Sequence, residues 1–145
     1  MRTTELRETT FADVESVFKH GRPYDQLKVD AEALERVREA AICRTIVING
    51  QPAAIFGGSK PDHLGLMHVW ACVTDVARGH GKFLTSMALG MIEHSMVAFS
   101  VKNMFSWSPE KAPENARWLG TLGFKRCPVL DYVDEHKYRW EGYER

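Results

Sequence analysis

The stretch from Val69 to Leu84 constrains the fold of this chain more than any other. Val69-Trp-Ala-Cys-Val73 is a run of strand-forming residues, and Thr74 and Asp75 turn the chain. A short glycine-bearing loop follows, Arg78-Gly-His-Gly81. From Lys82 the apolar residues switch to helical spacing, at Phe83, Leu84, Met87, Ala88, Met91 and Ile92. Strand, glycine loop and helix in that order build an anion site. The leading amides of a helix have no partner within it, and the helix dipole adds partial positive charge there. Glycines let a bulky phosphate approach the backbone. If the chain has a ligand site, it is expected here.

The flanking segments supply a sheet. Thr4 to Arg7 reads as a short edge strand. Thr9 and Thr10 offer an N-cap, with Asp13 three residues after Thr10 as a form of capping box, for a helix from about Phe11 to Lys19, with Phe11, Val14, Val17 and Phe18 on its apolar face. Gly21-Arg-Pro23 ends that helix, and Asp30 caps a second from Ala31 to about Ala41, with Leu34, Val37 and Ala41 facing inward. Cys43 to Ile48 and Pro52 to Gly57 are strands joined by Asn49-Gly50, a strong hairpin signal. A third strand of this meander runs from about Leu64 to Val73. Beyond the central helix, which ends between His94 and Phe99, Asn103 to Trp107 is a strand. Pro113-Glu114-Asn115 starts a helix over Ala116 to Leu122, closed by Gly123. Strands over Phe124 to Cys127 and His136 to Trp140 complete the order β-α-α-β-β-β-α-β-α-β-β, an α/β mixed sheet with helices on its faces.

At 145 residues, one domain is expected, spanning 1–145. Lys+Arg and Asp+Glu balance at 19 each, so no overall basic field argues for nucleic acid. The three cysteines, Cys43, Cys72 and Cys127, are far apart and odd in number, which reads as reduced thiols, not a disulfide framework or zinc site. Met-Arg-Thr-Thr-Glu has no apolar signal region, and no apolar run approaches the roughly 20 residues that span a bilayer. The expectation is a soluble, cytoplasmic protein that engages neither membrane nor nucleic acid.

The element order, with Arg78-Gly-His-Gly81 between the fourth strand and third helix and Asn115 … Leu122-Gly-Phe124 closing the fourth helix, resembles the GNAT superfamily of acetyl-CoA-dependent N-acyltransferases over nearly the whole chain. The resemblance implies that acetyl-CoA is the cofactor and a small-molecule or protein amine the acceptor. It implies that Arg78, Gly79, His80, Gly81 and Lys82 hold the pyrophosphate. The strand end Ala71, Cys72, Val73 and Thr74 would pair with the pantetheine arm, and Asn115 would lie near the thioester. Two positions depart from the family pattern. A small residue is expected where Phe83 stands, so its ring is expected to intrude on the pyrophosphate unless the helix enters at another angle. The Tyr that many members use as general acid is replaced by Leu119, which has no proton to donate. Trp70-x-x-x-Thr74, Lys82-Phe-Leu84 and Asn115-x-Arg-Trp-Leu-x-x-Leu-Gly-Phe124 are further similar to small GNAT-like proteins of short-tailed bacteriophages, linked to internal virion proteins and particle assembly. That resemblance implies a phage or host protein partner and a place in the host cytoplasm or the virion.

Each candidate has a plainer reading. The glycine loop is either a phosphate cradle or a turn kept for geometry. His68 shares a strand face with Leu66, Trp70 and Cys72 and could accept a proton from a substrate ammonium, since its ordinary pKa is near neutrality. A half-buried strand histidine is the alternative. His63 and His68 share no helix face and nothing completes a metal set. Trp70, Trp107 and Trp118 either line an acceptor pocket or pack the core. Cys72 reads as a buried thiol before a nucleophile. Asp131, Asp134 and Glu135 against Lys137, Arg139 and Arg145 read as a solvated hairpin. Two functions follow: an N-acetyltransferase with His68 or water as base and strand-end amides as oxyanion donors, or a non-catalytic phage scaffold binding other proteins. Phe83 and Leu119 favour the scaffold, and Arg-Gly-His-Gly favours the enzyme. The expectation is a GNAT-like bacteriophage protein with a partly degenerate cofactor loop, its acetyltransferase activity kept or lost.

Overall fold

The computed structural model describes residues 2–20, 31–135 and 137–145, without the side chains of 18–20 and 31–34. The readings placed on Gly21 to Asp30 and on His136, and those on the side chains of Phe18 and Leu34, lie outside the described residues. The elements are β1 (Thr4–Glu8), α1 (Phe11–His20), α2 (Ala31–Glu39), β2 (Ala40–Ile48), β3 (Gln51–Ser59), β4 (Leu66–Val73), α3 (Gly81–Ala98), β5 (Asn103–Pro109), α4 (Pro113–Thr121), β6 (Lys125–Arg126), β7 (Tyr132–Val133) and β8 (Arg139–Glu144). The strands pair in the order β1-β2-β3-β4-β5-β8-β6, with β7 on β8. The order expected from sequence is present, with one short strand added. The chain divides into two compact units, Met1–Lys60 with Trp70–Leu84, and Pro61–Val69 with Thr85–Arg145, so β4 and α3 contribute to both.

In the first unit β1 lies antiparallel on β2 from Thr4↔Ile48 to Glu8↔Arg44. β2 returns as β3 through Asn49 and Gly50 at φ 50° and 78°, the left-handed pair that a two-residue hairpin turn needs. α1 opens on the expected capping box: the Thr10 amide donates to Asp13 Oδ2 at 3.0 Å and the Asp13 amide to Thr10 Oγ1 at 3.2 Å. Asp13 is only 2% exposed and takes Arg7 Nη2 at 2.6 Å. Burial alone would raise its pKa, but donors from Arg7, Thr10 and Thr45 hold the carboxyl below its ordinary value. This polar anchor turns α1 so that Asp13, Val14 and Val17 face inward. Phe11, expected in the core, is therefore left 53% exposed. Val14, Val17, Cys43, Ile55 and Cys72 form the core, with Val37, Ala40 and Trp70 packed against it. α2 stops at Glu39 because Ala40 already pairs with Ser59, so Ala41, expected in the helix, is in a strand. Cross-strand pairing outweighs alanine's helical preference.

In the second unit β4 runs parallel to β5 over Leu66↔Asn103 to His68↔Phe105. β4 starts at Leu66 rather than Leu64, because Asp62 Oδ1 accepts from the amides of both and closes a turn at Gly65, φ 77°. β5 pairs antiparallel with β8 from Phe105↔Glu144 to Pro109↔Trp140. α4 begins with Pro113 and ends in a Schellman motif, with Phe124 N donating to Leu119 O and Gly123 N to Gly120 O, and Gly123 at φ 91°. The last strand is Arg139–Glu144, later than the expected His136 to Trp140. Asp131 explains the shift. Its carboxylate takes Arg126 at 2.6 Å, Arg139 at 3.2 Å and the Gly142 amide at 2.9 Å. These donors, Arg126 first, hold it far below the ordinary carboxylate range. The expected solvated hairpin is thus a charge-linked hub, with the Asp131 side chain 15% exposed. Met67, Ile92, Met104, Leu119, Leu122 and Phe124 are among the buried residues of this unit. No helix among the described residues is long and apolar enough to cross a membrane.

Candidate functional site

The glycine loop lies within the first unit. Thr74 closes β4. Its amide donates to Ala53 O at 2.9 Å and its buried hydroxyl lies 3.1 Å from the same oxygen. That hydroxyl also accepts from Val76 N and so caps a short 3-10 turn, Asp75–Ala77. The loop Arg78–His80 follows, with Gly79 at φ 82°, a conformation that suits glycine and that β-branched residues avoid. α3 then starts at Gly81. The N–H groups of Gly79, Gly81, Lys82 and Phe83 meet no acceptor among the described residues, and Leu84 is the first to bond back, to His80 O at 3.0 Å. An ideal Cβ on Gly79 or Gly81 would meet no heavy atom within 4 Å. A set of unpaired amides thus stands at the positive end of an 18-residue helix, with space free at the Cβ positions of both glycines. The residues fit an anion such as a pyrophosphate.

The Phe83 ring lies under the Arg2 guanidinium, 4.6 Å from carbon to centroid, and comes no nearer than 4 Å to an ideal Cβ on Gly79 or Gly81. Arg2 also reaches His80, Nη1 to Nδ1 at 3.4 Å, so that nitrogen faces the guanidinium as acceptor. Arg78 is 84% exposed and pairs with Asp75 at 3.3 Å, an exposed contact of small energetic weight. Lys82 is exposed. Sequence reasoning had no access to Arg2, whose partners lie 78 or more positions away.

The strand end supplies backbone. Thr74 N points to β3, and Gly65 O takes Lys102 N at 2.8 Å on the β5 side. By strand alternation the N–H and C=O of Ala71 and Val73 therefore face away from β3. The ladder with β5 ends at His68↔Phe105, short of both. Cys72, by contrast, puts its side chain into the core, 5% exposed. Trp70 packs its ring on Gly57, where an added Cβ would come within 2.3 Å of it. Both serve packing in this unit.

His68, in the second unit, is half-buried. It stacks on Phe105 at 5.4 Å and meets Trp107 edge-on at 4.8 Å. Trp107 continues to Tyr132 at 5.4 Å and Tyr132 to Trp140 at 6.3 Å, a continuous run of rings. The i, i+2 spacing of Phe105 and Trp107 on one strand was legible in the sequence, while Tyr132 and Trp140 join only through the β8 register. Asn115 is half-buried in the first turn of α4, its amide bonded to Ala112 O at 3.0 Å. Leu119 is buried, 8% exposed. Trp118 Nε1 donates to Thr85 Oγ1 at 2.9 Å, which fixes it to α3. None of the three cysteines is in a disulfide, and burial pushes the Cys43 thiol up. Among the described residues no His, Cys, Asp and Glu cluster could hold a metal.

No protein-family model and no curated protein sequence matches the chain. Solved structures do. An acetyltransferase of the GNAT family from Bacillus anthracis superposes with a TM-score of 0.71 at 11% identity, covering 98% of this chain and 93% of that one. The ribosomal L7/L12 alpha-N-protein acetyltransferase RimL, in complex with coenzyme A, gives 0.70 at 10% identity over 99% and 93%. The aminoglycoside acetyltransferase AAC(6')-Ib, in complex with coenzyme A, gives 0.69 at 12% identity over 99% and 94%. At such identities the likeness is one of fold: the chain has the mixed α/β fold of GNAT acyltransferases.

Proposed function

We propose that this protein is an acetyl-CoA-dependent N-acetyltransferase, acting as one domain on a small-molecule or protein amine. The observation that carries the reading is the row of unpaired amides at Gly79, Gly81, Lys82 and Phe83, with space free at the Cβ positions of the two glycines. Solved acetyltransferases of the same fold, some holding coenzyme A, support it. Acetyl-CoA would supply an acyl carbon activated as a thioester. The loop residues Arg78, Gly79, His80, Gly81 and Lys82 would bind the pyrophosphate. The edge groups of Ala71 and Val73 would align the pantetheine arm, and a strand-end amide would donate to the developing oxyanion. Cys72 and Thr74 hold that strand end in place through the core and through Ala53. His68, on the same strand, is the candidate base that takes a proton from the substrate ammonium and frees the amine that attacks, and Asn115 a candidate polar contact for the acyl end. With Leu119 buried, the proton for the departing thiolate would come from water or from another donor.

Titration calorimetry with acetyl-CoA tests the reading, and a wild-type protein that gives no binding heat ends it. The other reading, a phage assembly or host-interaction scaffold, rests on the scattered aromatic and glycine positions and on Phe83 and Leu119, where the family pattern has a small residue and a general acid. It predicts a stable partner in pull-downs from infected cells.

A further inference from the structure

We propose that Arg2 is a phosphate-binding residue of this same site and that it recognises the phosphate on the ribose of the coenzyme, outside the pyrophosphate. The inference rests on the cofactor reading above and names a contact that the glycine loop does not supply. Arg2 precedes β1, yet its side chain lies at the loop, on His80 and over Phe83. The next residue is pinned to the β2–β3 turn on both backbone sides, Thr3 N donating to Asn49 Oδ1 at 2.9 Å and Asn49 N to Thr3 O at 2.8 Å.

The partners of Arg2 are unusual for an arginine. Neither is a carboxylate: one is a ring nitrogen and the other a ring face, and among the described residues no carboxylate pairs with it. Asp75, the acidic residue of the adjoining turn, is engaged by Arg78. The guanidinium is therefore oriented but not neutralised, and its remaining N–H groups are available to a charged acceptor in bidentate geometry. The loop amides can satisfy one pyrophosphate, and coenzyme A carries a further phosphate that they leave without a partner. Phe83 also acquires a reason to stand where a small residue is the family habit. Its ring is the face on which the guanidinium lies.

Titration calorimetry with acetyl-CoA and with its 3′-dephospho form, on wild type and Arg2→Gln, tests this. Wild type is expected to bind acetyl-CoA about tenfold or more tightly than the dephospho form, the weight of one charge-assisted contact. Arg2→Gln is expected to bind both forms alike, at the wild-type affinity for the dephospho form. Arg2→Lys should keep part of the preference. Equal binding of the two forms by wild type overturns the proposal and leaves the cofactor site standing. So does an Arg2→Gln that keeps the wild-type preference, or one that weakens both forms equally. A wild type that binds neither form overturns the proposal and the cofactor site together. Because Arg2 is exposed, matching melting curves are expected for all three proteins.

Discussion

Replacing Gly81 by glutamate separates the binding role of the loop from its role in folding. Gly81 is the first residue of α3, it is exposed, and its ideal Cβ meets nothing within 4 Å. Unlike Gly79, it does not have a positive φ. A side chain at position 81 therefore strains nothing. A carboxylate in the first helical turn even gains about 0.3–1 kcal/mol from the helix dipole. The melting temperature should stay level or rise slightly. For a phosphate the same substitution is severe. A hydrogen bond from an amide to a charged acceptor contributes about 1.5–3 kcal/mol. Loss of only two of the open amides to a competing carboxylate removes at least about 3 kcal/mol, before any repulsion between the two anions. That corresponds to a dissociation constant weaker by about two orders of magnitude. Calorimetry with acetyl-CoA on wild type, Gly81→Glu and the uncharged control Gly81→Ala measures it, with thermal melts alongside. A folded Gly81→Glu whose affinity stays within about threefold of wild type, on a total of roughly 3 kcal/mol expected, would refute the reasoning. So would a Gly81→Ala that loses binding as badly as the charged variant.

Three further outcomes concern stability. Asp13 titrates below its unfolded value, so its stabilising contribution is complete above about pH 4 and is lost as acid carries the pH through the folded value. Asp13→Asn should therefore melt lower than wild type at pH 7, by the equivalent of about 1–2 kcal/mol for the lost cap. The gap should close below pH 4, and a gap that widens in acid would contradict the assigned direction. Gly57→Ala forces a methyl group into the Trp70 ring, whose nearest atom is 2.3 Å from the ideal Cβ. A loss of about 1–3 kcal/mol and a shifted tryptophan emission are expected in melts and fluorescence. Ser108 is 1% exposed and its hydroxyl has no hydrogen-bond partner among the described residues. Ser108→Ala should leave the denaturant midpoint unchanged or raise it, and a fall above about 1 kcal/mol would reveal a bond that the structure does not contain.

What local chemistry governs was open to reading in the chain itself. Asn49-Gly50 can hardly avoid a tight hairpin, because few other pairs tolerate left-handed backbone at both positions. Thr10 and Asp13 close a capping box within one turn, and Gly123 ends α4 through its own conformational freedom. The glycine loop belongs to the same class, since strand, glycines and helix follow one another directly. Each of these signals spans a few residues and competes with nothing distant.

Tertiary structure decided the rest. The helical preference of Ala40 gave way to pairing with Ser59 of β3, and Ala41 follows it into β2 at a register shift. The last strand slid to Arg139–Glu144 because Asp131 draws in Arg126, Arg139 and the Gly142 amide, groups contributed by separate segments. Phe11 was left outside because a buried Asp13 fixed the rotation of α1. Above all, Phe83 read alone is a bulky residue in the wrong place, and only the fold brings Arg2 onto it. Such pairings depend on which segments fold against one another, and periodicity within a segment carries no record of what will lie across from it.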